Sequence, residues 1–320
     1  MAKKHDIFLF AGGIAILIVL TILDISIGEA GMGDAAVIWK LRFPRALTAI
    51  LAGASMAVAG AQMQSIFRNP LADPHIMGIS AGAGLGAAII SISLIGMGIF
   101  PAELGIASGA FAGAAITSLL IITAASKIHS GSTLLIFGVM IGFIFSAITS
   151  IIEYSSNEES LKIFYNWSAG SFTGNGIDNL LVLASALALG TFIALANNKG
   201  LDIIMFGDEY ANMSGADTRK IRLYAMLSSC IITGAVTAFC GPLGFVGIVS
   251  PHISRKILGK SANLSVLPFS IITGGTIALL ADVISQIARI PLPVGSTIAL
   301  IGIPIILAIL FKGRDNSLVQ

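Results

Sequence analysis

The chain has 320 residues, 56% hydrophobic and only 11% charged, whereas soluble domains average about 25% charged; with a mean hydropathy of +0.95 it reads as an all-α polytopic membrane protein, and a soluble enzyme is excluded. A net charge of +2, with no basic run interleaved with aromatics, excludes a nucleic-acid partner. Cys230 and Cys240 share one apolar span about 15 Å apart along a helix axis, so they cannot pair there and read as buried small hydrophobes.

An α-helix needs roughly 20 apolar residues to cross a bilayer, and runs of that kind predict ten spans: 7–27, 46–66, 76–95, 104–125, 132–152, 178–196, 222–241, 244–258, 267–288 and 294–311. The first follows Lys3 and Lys4 but is too long for a signal peptide and lacks an A-x-A-like cleavage site, so it reads as an uncleaved span. In the second, uncharged from Ala46 to Ile66, small residues such as Gly53, Ala57 and Gly60 permit close helix approach, which places it inside the bundle. Arg68, Asn69 and Pro70 then break the pattern, since proline cannot continue a helix. The third and fourth spans carry glycine at every fourth position (Gly78, Gly82, Gly86; Gly105, Gly109, Gly113), the pattern of helix-packing faces. Gly82 to Gly86 do not form a nucleotide loop, because no strand precedes them and the second intervening residue is missing.

Between the fifth and sixth spans, Glu153 to Asn175 is a polar segment holding Tyr165 and Trp167, which suit a membrane–water boundary. Between the sixth and seventh, the loop Lys199 to Arg222 has a core, Gly207 to Asp217, that places short helical turns between glycines. Asp208 and Glu209 there suit a helix N-terminus. Gly259-Lys260-Ser261 imitates the end of a Walker A loop, but Ser254 occupies the position of its first glycine, so the chain is not expected to bind ATP itself. His75 and His252 lie near inner helix ends and read as hydrogen-bonding groups. Apart from Asp282 and span-terminal acids such as Asp24, no acid lies within a span, so no catalytic constellation, metal site or cofactor is expected.

With the N-terminus inside, thirteen of the eighteen Lys and Arg face the cytoplasm, which the positive-inside rule favours over the inverse, and both termini are then cytoplasmic. Three of the remaining cations crowd into Lys40 to Arg45 on the outside, against the orientation rule, and so ask for a partner, either lipid headgroups met by snorkelling side chains or another protein.

Several motifs in order, R-x-P-R (Arg42 to Arg45), Gln64, R-N-P-L-A-x-P (Arg68 to Pro74), G-I-S-x-G-A (Gly78 to Ala83), G-P-L-G-F-V-G-I-V-S-P-H-I-S-R (Gly241 to Arg255), Ala281-Asp282 and P-V-G-S-T-I-A-L-I-G-I-P (Pro293 to Pro304), resemble the FecCD-type ABC importer permeases of the bacterial inner membrane. The similarity runs from about Ile38 to the C-terminus. It implies a single permease domain over 1–320 with the type II importer fold, and a second copy of the chain around a two-fold substrate path. A separate ATP-binding subunit dimer would supply hydrolysis, so the chain itself is no enzyme, and a periplasmic or lipid-anchored substrate-binding protein would deliver a bulky metal chelate such as ferric siderophore, haem or cobalamin. Carried residue by residue, it implies that Arg42 and Arg45 dock the binding protein. The family's third arginine falls on Gln286, and Arg289, one turn later, is the nearest substitute. Asn69 and Leu71, with Ser132 and Thr133, would constrict the cytoplasmic mouth. Gly207, Asp208, Glu209, Ala211, Gly215 and Asp217 would couple to the ATPase, with Ala211 close against it. An ion-coupled secondary transporter with two halves of five spans is the alternative, though the ion and proton sites it needs at mid-membrane are poorly represented.

Overall fold

The computed structural model describes residues 2–27, 35–95, 102–128, 130–287 and 292–316. Among them the chain is all helical. Helix α1 (Ala2–Ser26) is followed by α2 (Ala35–Val37), which continues through a π-helical turn, Ile38–Arg42, into α3 (Phe43–Phe67). A 3-10 turn at Pro74–Met77 leads to α4 (Ile79–Ala88), extended by a π-helical segment Ile89–Ile95. Then come α5 (Ala102–Lys127), α6 (Gly131–Tyr154), α7 (Glu158–Ser168), α8 (Ile177–Ala196), α9 (Asn198–Ile204), α10 (Asp208–Met213), α11 (Thr218–Cys240), α12 (Val246–Leu258), α13 (Asn263–Ile287) and α14 (Val294–Asn316).

The ten expected spans coincide with α1, α3, α4, α5, α6, α8, α11, α12, α13 and α14. Among the described residues seven helices are long and apolar enough to cross a membrane; the apolar stretches Ile79–Ile92 and Val294–Ala308 are shorter, and α12 has 13 residues, about 20 Å of helix.

Helix α3 is the axle of the bundle. Nine of its nineteen buried residues are Ala or Gly, and at these positions neighbouring backbones come into direct contact. A Cβ at Gly53 would meet the Gly274 carbonyl of α13, and one at Gly60 would meet the Gly247 carbonyl of α12. The glycine stripes of α4 and α5 behave the same way, with Gly82 against Gly113 and Gly86 against Gly109. These small-residue seams let dispersion hold helices together where lipid gives no hydrophobic drive. Helix α1 packs outside α13, with an edge-on Phe10–Phe269 ring pair at 5.1 Å and an Asp6–Lys260 ion pair at its start.

The chain after α3 turns back into the bundle. Arg68 ends α3 in the left-handed region, φ 50°. By residue 73 the chain is level with the middle of α3: a Cβ on Gly247 would lie 3.0 Å from the Met56 carbonyl and 3.1 Å from an Asp73 carboxyl oxygen. Asp73 caps the Pro74–Met77 turn by accepting the His75 amide at 2.8 Å. Helix α12 starts at the same level, after the non-helical 241–245 and a left-handed Phe245, φ 68°. Two short helices thus begin inside the bundle, and the non-helical residues closest to the core, 72–73 before α4 and Gly241 and Leu243 before α12, are buried in protein, where irregular backbone is tolerated. This corrects the reading of His75 as lying at an inner helix end. His75 lies at depth, against Gly244.

Cys230 and Cys240 are buried and free.

Candidate functional site

One end of the bundle carries Arg222 and the other Arg45; each gathers expected site residues.

At the Arg222 end, α9 and α10 form a compact ledge. Gly207 and Gly215 flank α10 with φ of 113° and 80°, values a Cβ disfavours, as expected for tight turns. Asp208 and Glu209 occupy the first turn of α10. Asp208 forms an ion pair with Arg222, whose side chain is 1% exposed. Asp217 caps α11, its carboxylate accepting the Lys220 amide at 3.1 Å and pairing with the Lys220 ammonium at 3.2 Å. The amide bond holds the Asp217 carboxyl below its ordinary range.

Ala211 has no exposed surface. The chain itself covers it, so its methyl is not open to a partner, whereas the sequence reading sets Ala211 close against the ATPase. The most exposed large apolar side chains of this ledge are Phe206 (76% exposed), Tyr210 (56%) and Met213 (89%), with the Phe206 and Tyr210 rings 5.5 Å apart. They form an apolar patch on an otherwise polar loop. Sequence reasoning passed over it because a six-residue helix is too short to reveal a periodic face.

The expected constrictions lie beside this ledge. Asn69 is exposed in the turn after α3, its side chain accepting the Leu71 amide at 2.9 Å, and Leu71 is half-buried. Ser132 and Thr133 are exposed on the first turn of α6, where Ser130 caps the helix. A Cβ at Gly131 would lie 3.2 Å from the Ile66 carbonyl, so the start of α6 abuts the end of α3 and both constriction pairs belong to one corner.

At the other end, Arg42 is 8% exposed and donates to the Ile25 carbonyl at the end of α1, 3.0 Å away. Arg45 makes a forked contact with Asp282, Nε at 2.8 Å and Nη2 at 2.7 Å; Asp282 has no exposed surface and the Arg45 side chain 18%. Gln286 bridges two carboxylates, donating to Asp24 at 2.7 Å and to Asp282 at 3.2 Å. The expected docking arginines are thus both engaged within the chain, through residues as far apart in sequence as 45 and 282. Arg289 lies outside the described residues. Nearby, Trp167 of α7 donates to the Ala238 carbonyl at 3.3 Å, tying that helix to α11.

Among the described residues no group of three or more His, Cys, Asp or Glu is placed to hold a metal ion.

The model of the FecCD transport family matches residues 7–312. The hemin transport system permease HmuU of Yersinia pestis is 33% identical, covering 94% of this chain and 95% of that protein. The cobalamin import permease BtuC of Halobacterium salinarum is 32% identical over 88% of this chain and 74% of its own length, and the Fe(3+)-citrate import permease YfmD of Bacillus subtilis is 33% identical over 89% and 84%. Among solved structures, a metal-chelate-type ABC transporter in an inward-facing conformation superposes with a TM-score of 0.85 at 27% identity, covering 95% of this chain and 99% of that one.

Proposed function

The chain belongs to the FecCD transport family, and from that premise we propose that this permease moves a bulky metal chelate, such as a ferric siderophore, haem or cobalamin, into the cytoplasm. Two copies enclose the path, a separate ATPase pair drives it, and a substrate-binding protein feeds it from outside. The Arg222 end is cytoplasmic, as are both termini, and the Arg45 end faces outward at the inner membrane.

The observation that carries this reading is the patch Phe206, Tyr210 and Met213, which leaves three large apolar side chains in water at the tip of a polar loop. Apolar clusters of this kind mark protein contacts. A chain with no phosphate-binding loop of its own receives mechanical work through such a contact, and Gly207 to Asp217 is the segment placed to accept it. Asp208 and Glu209 hold the start of the coupling helix, Gly207 and Gly215 set its ends, and Ala211 seats it on the permease core.

Asn69, Leu71, Ser132 and Thr133 form the inner gate. They share one corner of the bundle beside the coupling segment, and the exposed ones face away from the core, where a second copy and a substrate path can meet them.

At the outer end Arg45 meets an acidic partner only by sharing or exchanging Asp282, and Arg42 only by leaving the Ile25 carbonyl. Docking there is a partner exchange at a preformed charged cluster rather than capture by free arginines, and Arg289 is the third cation assigned to it. Relatives of this chain carry hemin, cobalamin or ferric citrate according to their names. Titrating each chelate onto the cognate binding protein identifies the substrate. A binding protein that retains none of them, and instead holds a small uncharged solute, would overturn the metal-chelate assignment.

A further inference from the structure

We propose that Arg68 and Arg222 are positioning residues that link the start of the coupling helix to two separate sides of the inner gate. The proposal rests on the gate and coupling assignments above, and adds to them how movement passes from one to the other.

The geometry divides into two short routes that leave adjacent residues. Gly207 backs onto the Arg68 side chain, whose Nη1 lies 3.3 Å from where a Cβ on that glycine would sit. Arg68 is the residue immediately before Asn69, and its left-handed backbone fixes the direction in which the chain leaves α3. The turn beyond is stiffened by Asn69 itself, whose carbonyl accepts the Ala72 amide at 3.0 Å and whose side chain accepts the Leu71 amide at 2.9 Å. A displacement of Gly207 therefore bears on the Asn69–Leu71 turn through one side chain.

The second route starts one residue later. Asp208 pairs with the buried Arg222 of α11, and the Arg222 guanidinium lies 3.7 to 3.8 Å from the Cβ position of Gly131, the residue before Ser132. The guanidinium is therefore in ordinary contact range of the first turn of α6. A side chain on Gly131 would crowd the Ile66 carbonyl, so the first turn of α6 is close-packed between the end of α3 and the Arg222 guanidinium, and a displacement of Arg222 bears on it directly. Charge-assisted pairs are strong and directional, and this one joins a buried Arg222 (1% exposed) to a half-buried Asp208 (32%), which suits it for transmitting displacement. Stabilising the fold does not require a charge there, because buried ion pairs often contribute no more than well-packed apolar residues.

The ledge moves as one body. Ala211 is fully buried beneath α10 and Asp217 caps the following helix, so force applied at Phe206, Tyr210 and Met213 reaches Gly207 and Asp208 together. From there it divides between the α3 turn and the α6 start.

The test uses the full complex of permease, ATPase subunits and binding protein in proteoliposomes, with Cys230 and Cys240 replaced by alanine. Cysteine is placed at residue 69 or at residue 132, and the yield of cross-links between protomers is compared with and without a non-hydrolysable ATP analogue. The parent shows a nucleotide-dependent yield at both positions. Asp208→Ala reduces the response at 132 by at least about fivefold, the lower end of typical coupling between sites, and leaves the response at 69. In the reverse sense, Arg68→Asn, which keeps a residue tolerant of the left-handed backbone, removes the response at 69 and leaves that at 132. Exchanging the charges, Asp208→Arg with Arg222→Asp, restores the response at 132. Equal losses at both positions from either variant, or an unchanged response at 132 in Asp208→Ala, would overturn the two-route proposal while leaving the gate intact. A parent with no nucleotide response at either position would instead remove the gate assignment and the proposal with it.

Discussion

Replacing Phe206 and Met213 together by alanine tests the ATPase contact where the structure makes it most exposed. Their side chains are 76% and 89% exposed, so most of their surface is available for a partner to cover. Full burial of a Phe or Met side chain stabilises by about 1.5 to 3 kcal/mol. Scaled to the exposed fractions and reduced for what alanine retains, the double substitution forfeits about 3 kcal/mol of docking free energy, roughly a hundredfold or more in Kd. Neither side chain packs in the core, so the permease itself should change in stability by no more than about 0.5 kcal/mol. The assay titrates labelled ATPase subunit onto permease dimers in nanodiscs, with thermal unfolding of the permease measured in parallel. A Kd within about threefold of the parent's, less than 1 kcal/mol, would refute the reasoning, because the patch would then face something other than the ATPase.

Arg45→Met leaves Asp282 buried beside Asp24 without its cation, and the thermal midpoint in detergent should fall as about 3 to 5 kcal/mol of stability is lost; Arg45→Met with Asp282→Leu should recover most of it. Cysteines at residue 69 of both protomers should cross-link to different extents in nucleotide-free and nucleotide-bound complexes, and equal yields would count against a constriction there. Asp217→Ala should loosen the first turn of α11 through loss of its cap, read as faster hydrogen exchange at the Lys220 amide. Because the folded carboxyl lies below its ordinary value, this capping is fully present above an unfolded pKa of about 3.9 and is lost only as pH falls through the lower folded value, so protection at neutral pH should not vary with pH.

The spans were legible because a bilayer demands a fixed length of apolar helix, and the glycine stripes because a spacing of four places residues on one helix face. Both signals are local. The inward turn at residue 73 and the deep start of α12 were not legible, since each depends on the other: Asp73 and Pro74 pack against Gly247, far away in sequence. The same limit hid the Arg45–Asp282 pair. An arginine crowded among outer cations looks free until the carboxylate from α13 is brought to it. Ala211 was misdirected for a different reason. Along α10, Asp208, Tyr210 and Met213 are as plausible on the inner face as Ala211, and only the packing of the ledge decides between them. The departure at Gln286 was visible in the sequence, but its consequence, an amide joining Asp24 and Asp282, needed the folded chain.

In the proposed function, transport through this permease is driven by an ATPase bound at the Phe206–Met213 patch. The direct measurement is uptake of the chelate retained by the binding protein into proteoliposomes holding permease and ATPase, with ATP inside and ion gradients collapsed. Uptake that requires ATP and binding protein, continues without any gradient, and falls in step with ATPase release in Phe206→Ala with Met213→Ala is the predicted result. Uptake driven by a proton or sodium gradient in the absence of ATP would contradict it and identify the chain as an ion-coupled transporter.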